Sequence, residues 1–272
     1  MNILVSINRG YLRFFYVMLS SLCANTRLAL SVFVMHDDLT EGDMKKIEET
    51  FRSVRFSFIF MDGELCKGFP KVKRYPYTVY YRIFAPVLLP KNIDRVLYLD
   101  CDLVVHNQID GLYSIDFNGN YFVACSNTGK LLTRFNQIRL GVKRNYSYMN
   151  TGVVLMNLKA LRGKIDVEAV RGYTIKNKWK LMLYDQDVLC HFFGNKIKLV
   201  SGLKYNLSDR RITAHNLTHR NKINGDWVRK NNVIIHYIGY NKPWKENYRG
   251  ILAPYFTAAE KEFNKKYRDE II

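Results

Sequence analysis

Two carboxylates stand one residue apart in the stretch VLYLDCDLVV, residues 96–105, where an apolar run ends. Alternate side chains of a strand share a face, so Asp100 and Asp102 would project the same way, a few ångströms apart. Anions that close repel one another unless something positive lies between them. A hard divalent cation meets that need, and on carboxylate ligands it keeps positions open for water or phosphate oxygens, which makes a diphosphate the natural third component. His236 stands at the end of VIIHYIG, just ahead of a glycine and KPW, and can complete the ligand set. An imidazole among oxygens shifts the expected ion from magnesium toward manganese. The plain alternative is a pair of aspartates that caps a turn at a strand end.

The surrounding pattern supplies elements to position these groups. NILVSI, ALSVFVMH and VRFSFIF are apolar strands, separated by the helical spacing of YLRFFYVMLSSLCAN and by LTEGDMKKIEETF, which opens with Thr40 three residues before Asp43 as a capping box. Strand, helix, strand, helix, strand is the rhythm of a mainly parallel sheet with helices on both faces. After the loop CKGFPKVKRYP, YTVYYRIFAPVLL predicts a helix that leads into the strand bearing the two aspartates. Ligands of open α/β sheets gather beyond the carboxyl ends of strands, and Asp100 sits at such an end. YFVAC and TGVVLMNL predict strands, DVEAVRGYTIKNKW and QDVLCHFF predict helices, and NVIIHYIGYNKPW predicts a late strand that breaks into a loop. With no repeat or flexible linker in view, a single domain is expected over residues 1–250, followed by a basic helical tail over 251–272.

The 272 residues carry a formal charge of +18, with 16 Lys and Arg against 13 Asp and Glu in residues 1–136, and 26 against 11 in residues 137–272. Such asymmetry calls for an anionic partner: a phosphorylated substrate, an anionic membrane face or a nucleic acid. Five scattered cysteines without CxxC spacing suit reduced thiols in a cytoplasmic setting. MNILVSIN has no charged leader, and no apolar run nears the roughly 18–20 residues that span a bilayer. Any membrane contact is therefore expected to be peripheral, at the inner face, with KEFNKKYRDE a candidate surface helix and an ordinary solvated helix its alternative.

RVLYLDCDLVV, YMNTGVVLMNL, YDQDVLCHFF and HYIGYNKPW follow one another over about 150 residues. Together with MNILVSINRGY they resemble the retaining glycosyltransferases of family 8, which include bacterial lipopolysaccharide galactosyl- and glucosyltransferases and glycogenin. The resemblance runs from residue 1 to about residue 245 and implies a GT-A fold, the Rossmann-like fold of nucleotide-diphospho-sugar transferases. It also implies retaining transfer of a hexose, glucose or galactose, from a UDP-sugar to a saccharide or glycolipid acceptor, dependent on Mn2+ or Mg2+.

Carried over by position, Asp100 and Asp102 form the DxD metal motif, with Asp100 also near the ribose or sugar, and His236 is the third protein ligand. Gly239 and Lys242 bind the diphosphate, where glycine permits close approach and an ammonium offsets phosphate charge. Arg82 matches an arginine that reaches the donor; on an apolar helix it needs a fixed anionic partner, which a structural salt bridge would equally supply. Asn150 matches a sugar-contacting asparagine, or else a turn residue. Asp185 and Gln186 match residues that hold the sugar's hydroxyls and lie beneath its anomeric carbon, whereas Asp187 can be a helix N-terminal charge alone. Asn8 replaces the aspartate that usually reads the uracil ring, and its carbonyl can still accept the ring's hydrogen bond.

Retention requires two inversions or attack from the leaving-group side, and the first needs a nucleophile below the sugar. Gln186 is a poor one. Same-face attack follows, with a donor phosphate oxygen taking the acceptor's proton, the ion and Lys242 meeting the developing charge, and Asp185 orienting the sugar. Two rivals come from other classes. DCDLV also fits the nucleophile motif of haloacid dehalogenase phosphatases, with Asp100 attacking phosphate, but no later DD or GDxxxD supplies the acidic pair that chemistry needs. A nucleic-acid-binding module would use the basic second half and the tyrosines and phenylalanines, most of which fall in apolar runs suited to a core.

Overall fold

The computed structural model describes residues 1–70 and 77–271. Among the described residues, nine strands and their connecting helices form a mixed α/β architecture. Strands β1 (Asn2–Ile7), β2 (Ser31–His36), β3 (Arg55–Phe60), β4 (Arg95–Leu99), β6 (Phe122–Cys125), β7 (Val153–Asn157) and β8 (Ile197–Val200) make a seven-stranded sheet in the order β3-β2-β1-β4-β7-β6-β8. The short β5 (Leu103–Val105) and β9 (Ile234–His236) pair separately. In the large sheet β1–β2, β1–β4, β2–β3 and β6–β8 are parallel, and only β7 runs antiparallel to its neighbours.

The first strand shows how sequence places the two layers. Ile3, Val5 and Ile7 pack into a cluster with α1 (Leu12–Ala24), α2 (Glu41–Thr50) and the C-terminal helix Ala253–Ile271. Leu4 points to the opposite cluster with Tyr80, Tyr81, Val188 and Leu189. Both faces are covered, so the strands are apolar on both sides, as a parallel sheet requires. The Thr40–Asp43 capping box that starts α2 is complete in both directions.

Three features depart from the expectations above, and one expectation falls on residues that are not described. Residues 77–89 are not one helix but the turns Thr78–Tyr81, Arg82–Phe84 and Ala85–Leu88, the middle one a 3-10 turn. Pro86 has no N–H to give the carbonyl of Arg82, and its ring crowds that carbonyl, so the α pattern breaks there. The loop expected over residues 66–76 lies outside the described residues from 71 to 76. The strand carrying the aspartates is two strands: β4 stops at Leu99, residues 100–102 bend, and β5 leaves for β9. Strand β8 and the helices Lys130–Leu140, Asp209–Thr218 and Gly225–Asn231 were not foreseen.

The C-terminal helix shares the main core. Phe256, Phe263 and Tyr267 are buried, Phe263 stacks on Tyr16 at 5.5 Å, and Arg13 pairs with Glu260 at 2.7 Å. The aromatic residues of KEFNKKYRDE that are described, Phe263 and Tyr267, therefore face the protein and not a membrane. Among the described residues no helix is long and apolar enough to cross a bilayer. Replacing Phe263 by alanine should cost about 3–5 kcal/mol of unfolding free energy in urea, the range for a buried phenylalanine that leaves a cavity; a loss under about 1 kcal/mol would mean the helix is not docked in solution.

Candidate active site

One cavity of about 1300 Å3 opens at the carboxyl ends of β1 and β4. Asn8, Arg82, Asp100, Asp102, Asn150, Asp185, Gln186, His236, Gly239 and Lys242 all line it. The register of β5 and β9 explains how groups 134 positions apart meet. Leu103 lies opposite His236, so Asp102, one residue earlier, falls beside the imidazole, and the Tyr237 N–H donates to the Asp102 carbonyl at 2.9 Å. Asp100 is fixed by its own N–H, which donates to the Gly152 carbonyl at 2.8 Å. The convergence of the two acids thus comes from a bend between two sheets and not from the pleat of one strand.

Ligand atoms of Asp100, Asp102 and His236 lie within 4.8 Å of one another. His236 Nε2 is 3.0 Å from Asp102 Oδ1 and 3.6 Å from Asp100 Oδ2. Two carboxylate oxygens and an imidazole nitrogen are a donor set that fits a divalent cation such as manganese. Lys242 Nζ pairs with the other oxygen of Asp102 and donates to the Tyr237 carbonyl at 2.6 Å. Burial alone would raise the Asp102 carboxyl, but His236 and Lys242 outweigh it and hold the group well below the usual carboxylate range. Gly152 leaves the necessary space: a Cβ there would run into His236 Cε1 and Asp100 Oδ2.

Arg82 is a buried brace. Its Nη2 lies 3.0 Å from Asp100 Oδ1, its Nε 3.3 Å from Asp185 Oδ2, and its Nη1 donates to the Thr151 carbonyl at 2.7 Å. The guanidinium also sits 4.1 Å over the ring of Tyr98, whose hydroxyl donates to Asp100 at 2.9 Å. The structural ion pairs considered for Arg82 are present, and the same side chain lines the cavity. Burial pushes the Asp185 carboxyl up to about 6 against the opposing Arg82 charge. Asp187 behaves differently. Fully buried, it accepts from Arg139 at 2.7 and 2.8 Å, from Tyr148 at 2.6 Å and from the Met182 and Leu183 N–H groups, and these bonds overcome burial to hold it low. It is a fastening for the start of the helix Tyr184–Phe193, not an open site.

A chain of amides joins the carboxylate–imidazole trio to the sugar-contact candidates. His236 Nδ1 lies 2.8 Å from Asn206 Oδ1, Asn206 Nδ2 donates to Asn150 Oδ1 at 2.8 Å, and Asn150 Nδ2 reaches Gln186 Oε1 at 3.4 Å. Because an amide oxygen only accepts, it holds a proton on Nδ1 and orients the ring so that Nε2 is the nitrogen turned toward the two acids. Sequence reasoning missed Asn206. It is wholly buried in KYNLS and is brought to the site because Leu207 bridges Ile235 of β9, a pairing that no local pattern announces.

Also in the cavity lining, Ser6 Oγ and Asn8 Oδ1 are buried with no hydrogen-bond partner. Phe14 and Trp244 stack at 3.8 Å and line the same space. Gly239 has φ +97°, a left-handed conformation that glycine adopts without strain.

The same fold is found in solved structures. A crystal structure of the galactosyltransferase LgtC in complex with donor and acceptor sugar analogs superposes with a TM-score of 0.81 at 22% identity, covering all of both chains. The glycosyltransferase GlyE of Streptococcus pneumoniae gives 0.71 at 18% identity over 99% of this chain and 63% of its own. The architecture is GT-A. The family model for glycosyl transferase family 8 matches residues 2–248, and the chain belongs to that family. Similar relatives include a lipopolysaccharide 1,3-galactosyltransferase of Salmonella typhimurium, 27% identical over 95% of this chain and 77% of that one. A lipopolysaccharide 1,2-glucosyltransferase of Escherichia coli is 25% identical over 72% of this chain and 58% of its own length. The protein is thus a retaining hexosyltransferase that draws on a nucleotide-sugar donor. Neither the phosphatase nor the nucleic-acid reading survives that membership.

Asn206→Ala should weaken Mn2+ binding by about 10–100-fold, the usual cost of freeing a ligating histidine. Electron paramagnetic titration of free Mn2+ measures it directly, beside a melting curve to show that the fold persists; unchanged affinity in a folded variant would leave the asparagine no part in orienting His236.

Proposed function

We propose that the donor is a UDP-hexose, that Asp100, Asp102 and His236 hold a divalent cation, manganese before magnesium, and that the acceptor is a saccharide or lipid-linked glycan. The observation that carries this is the pairing, in one cavity, of a carboxylate–imidazole trio with unpartnered acceptors and stacked aromatics. When bound, the cation would supply positive charge against the departing diphosphate. Asn8 Oδ1 is free to accept the uracil N–H, and the Phe14–Trp244 pair offers an apolar wall to the nucleoside.

The remaining roles belong to the chain's own groups. Lys242 brings its ammonium to the leaving phosphate from its place beside Asp102, and Gly239 lets the backbone approach it closely. Asp185 and Gln186 hold the hexose, with Asn150 fixing Gln186. Since the Gln186 amide is no nucleophile, the acceptor attacks from the leaving-group face and its proton passes to a donor phosphate oxygen. The names of the two lipopolysaccharide-building relatives support a glycolipid acceptor. The five free thiols suit a cytoplasmic position, and the basic second half suits peripheral contact with the anionic inner membrane face.

A panel of nucleotide-sugars with Mn2+, scored for free nucleotide diphosphate, tests this without a known acceptor. UDP-glucose or UDP-galactose should be hydrolysed, and Asp102→Ala should abolish the metal-dependent part; undiminished turnover in that variant would sink the scheme.

The pH profile gives a second test. Asp185 is protonated below about 6 and is a hydroxyl-accepting carboxylate above it, so turnover should rise as pH climbs through about 6. Asp185→Asn should be slower and lack that rise. A variant that kept the same ascending limb would assign it to another group.

A further inference from the structure

The helix Lys130–Leu140 is built inside out. Leu131, Phe135 and Ile138 recur at helical spacing on one face, and they are 89%, 52% and 67% exposed. Asn136 and Gln137 are buried beside the single buried apolar residue Leu140, with Gln137 Nε2 donating to the carbonyls of Arg144 and Tyr146 at 2.9 and 2.7 Å. The polar side is therefore fastened inward and the apolar stripe cannot turn to the core. Arg139 extends from the same helix to Asp187 and to the Lys180 carbonyl, which fixes a neighbouring loop where Trp179 is 89% and Met182 60% exposed. Leu132 of the helix and Leu183 of the loop both line the active-site cavity, so the two apolar sets flank its mouth. A third side is the helix Asp209–Thr218, which lends Arg210, Arg211 and His215 to the lining and exposes Leu217.

The charge around this apolar rim has one sign. Residues 130–144 hold five Lys and Arg, 176–183 three and 210–222 four, and none of these segments contains Asp or Glu. An exposed apolar patch of this kind marks a docking surface. A second copy of the chain would bring the same positive field against itself in a two-fold contact. A nucleic acid would use the lysines and leave the leucines, isoleucine and phenylalanine in water. An anionic bilayer surface satisfies both, taking apolar side chains at the headgroup boundary and basic ones on the phosphates. Among the described residues of the C-terminal helix, the large apolar side chains Phe256, Phe263 and Tyr267 are buried.

We propose that this rim, and not the C-terminal helix, seats the enzyme on an anionic lipid surface, with the cavity mouth turned toward an acceptor carried in that surface. The choice of a lipid-linked acceptor rests on the function proposed above; the docking surface does not.

The test is co-sedimentation of the full chain with vesicles of mixed phosphatidylglycerol and phosphatidylcholine and with vesicles of phosphatidylcholine alone, in the absence of donor. Wild type should bind the mixed vesicles at least about tenfold better. Combined Leu131→Ser, Phe135→Ser and Ile138→Ser, and separately Lys143→Glu with Arg144→Glu, should each weaken that binding at least about tenfold. Neither set touches the cavity, so hydrolysis of UDP-hexose should stay within about twofold of wild type and report an intact fold. Equal binding to the two lipids, no binding, or unchanged binding by the triple serine variant would overturn the proposal. So would a lipid-free wild-type dimer that the triple variant converts to monomer, since the face would then join two copies. Loss of hydrolysis in the wild type itself would count against the proposed donor and leave the docking result standing.

Discussion

Two aspartates held side by side at the dry end of a sheet repel each other, and much of the structure exists to offset that repulsion. Arg82 takes one side of Asp100, Lys242 takes one oxygen of Asp102, and His236 stands between them. Removing a charge partner from such a place leaves an uncompensated anion, which costs several kcal/mol, so the arrangement is stable only as a set. What a set of this kind offers chemistry is a focused demand for positive charge at one point. The divalent cation proposed for the site would answer that demand and would in turn offer counter-charge to a diphosphate, which would link the folding problem of the acids to the catalytic one.

The positioning is done by interruptions in regular structure. β4 ends one residue before Asp100 and β5 turns away to meet β9, so the acids sit at a corner where two sheets part. Pro86 forces the 3-10 turn that starts at Arg82, the residue whose guanidinium must cross to both Asp100 and Asp185. Gly152 keeps the corner empty of side chain where His236 enters. Each break is small, and each aims one side chain.

The sheet and the charged corner were legible because they follow local rules. Period-two and apolar runs marked β1 to β3, the Thr40–Asp43 box marked α2, and the DCD triplet announced a demand for a cation. The inference about strand geometry reached the shared cavity by the wrong route, since a pleat and a bend can both bring alternate residues together. Asn206 was invisible because its meaning lies in one bridge between Leu207 and Ile235, distant in sequence. The helix Lys130–Leu140 escaped because its apolar stripe faces water, the reverse of what a core helix shows. The ion pairs of Arg82 with Asp100 and Asp185 join residues far apart in sequence, so only the distances identify those partners.

The amide chain from His236 through Asn206 and Asn150 to Gln186 has a further meaning for how such enzymes diversify. In the roles proposed for Gln186 and His236, sugar selectivity and ion grip would share one scaffold of hydrogen bonds and would not be separable modules. A substitution at Asn150 would then also reach the imidazole two links away, so altered donor preference would come more readily from the periphery of the cavity or through compensated pairs of changes.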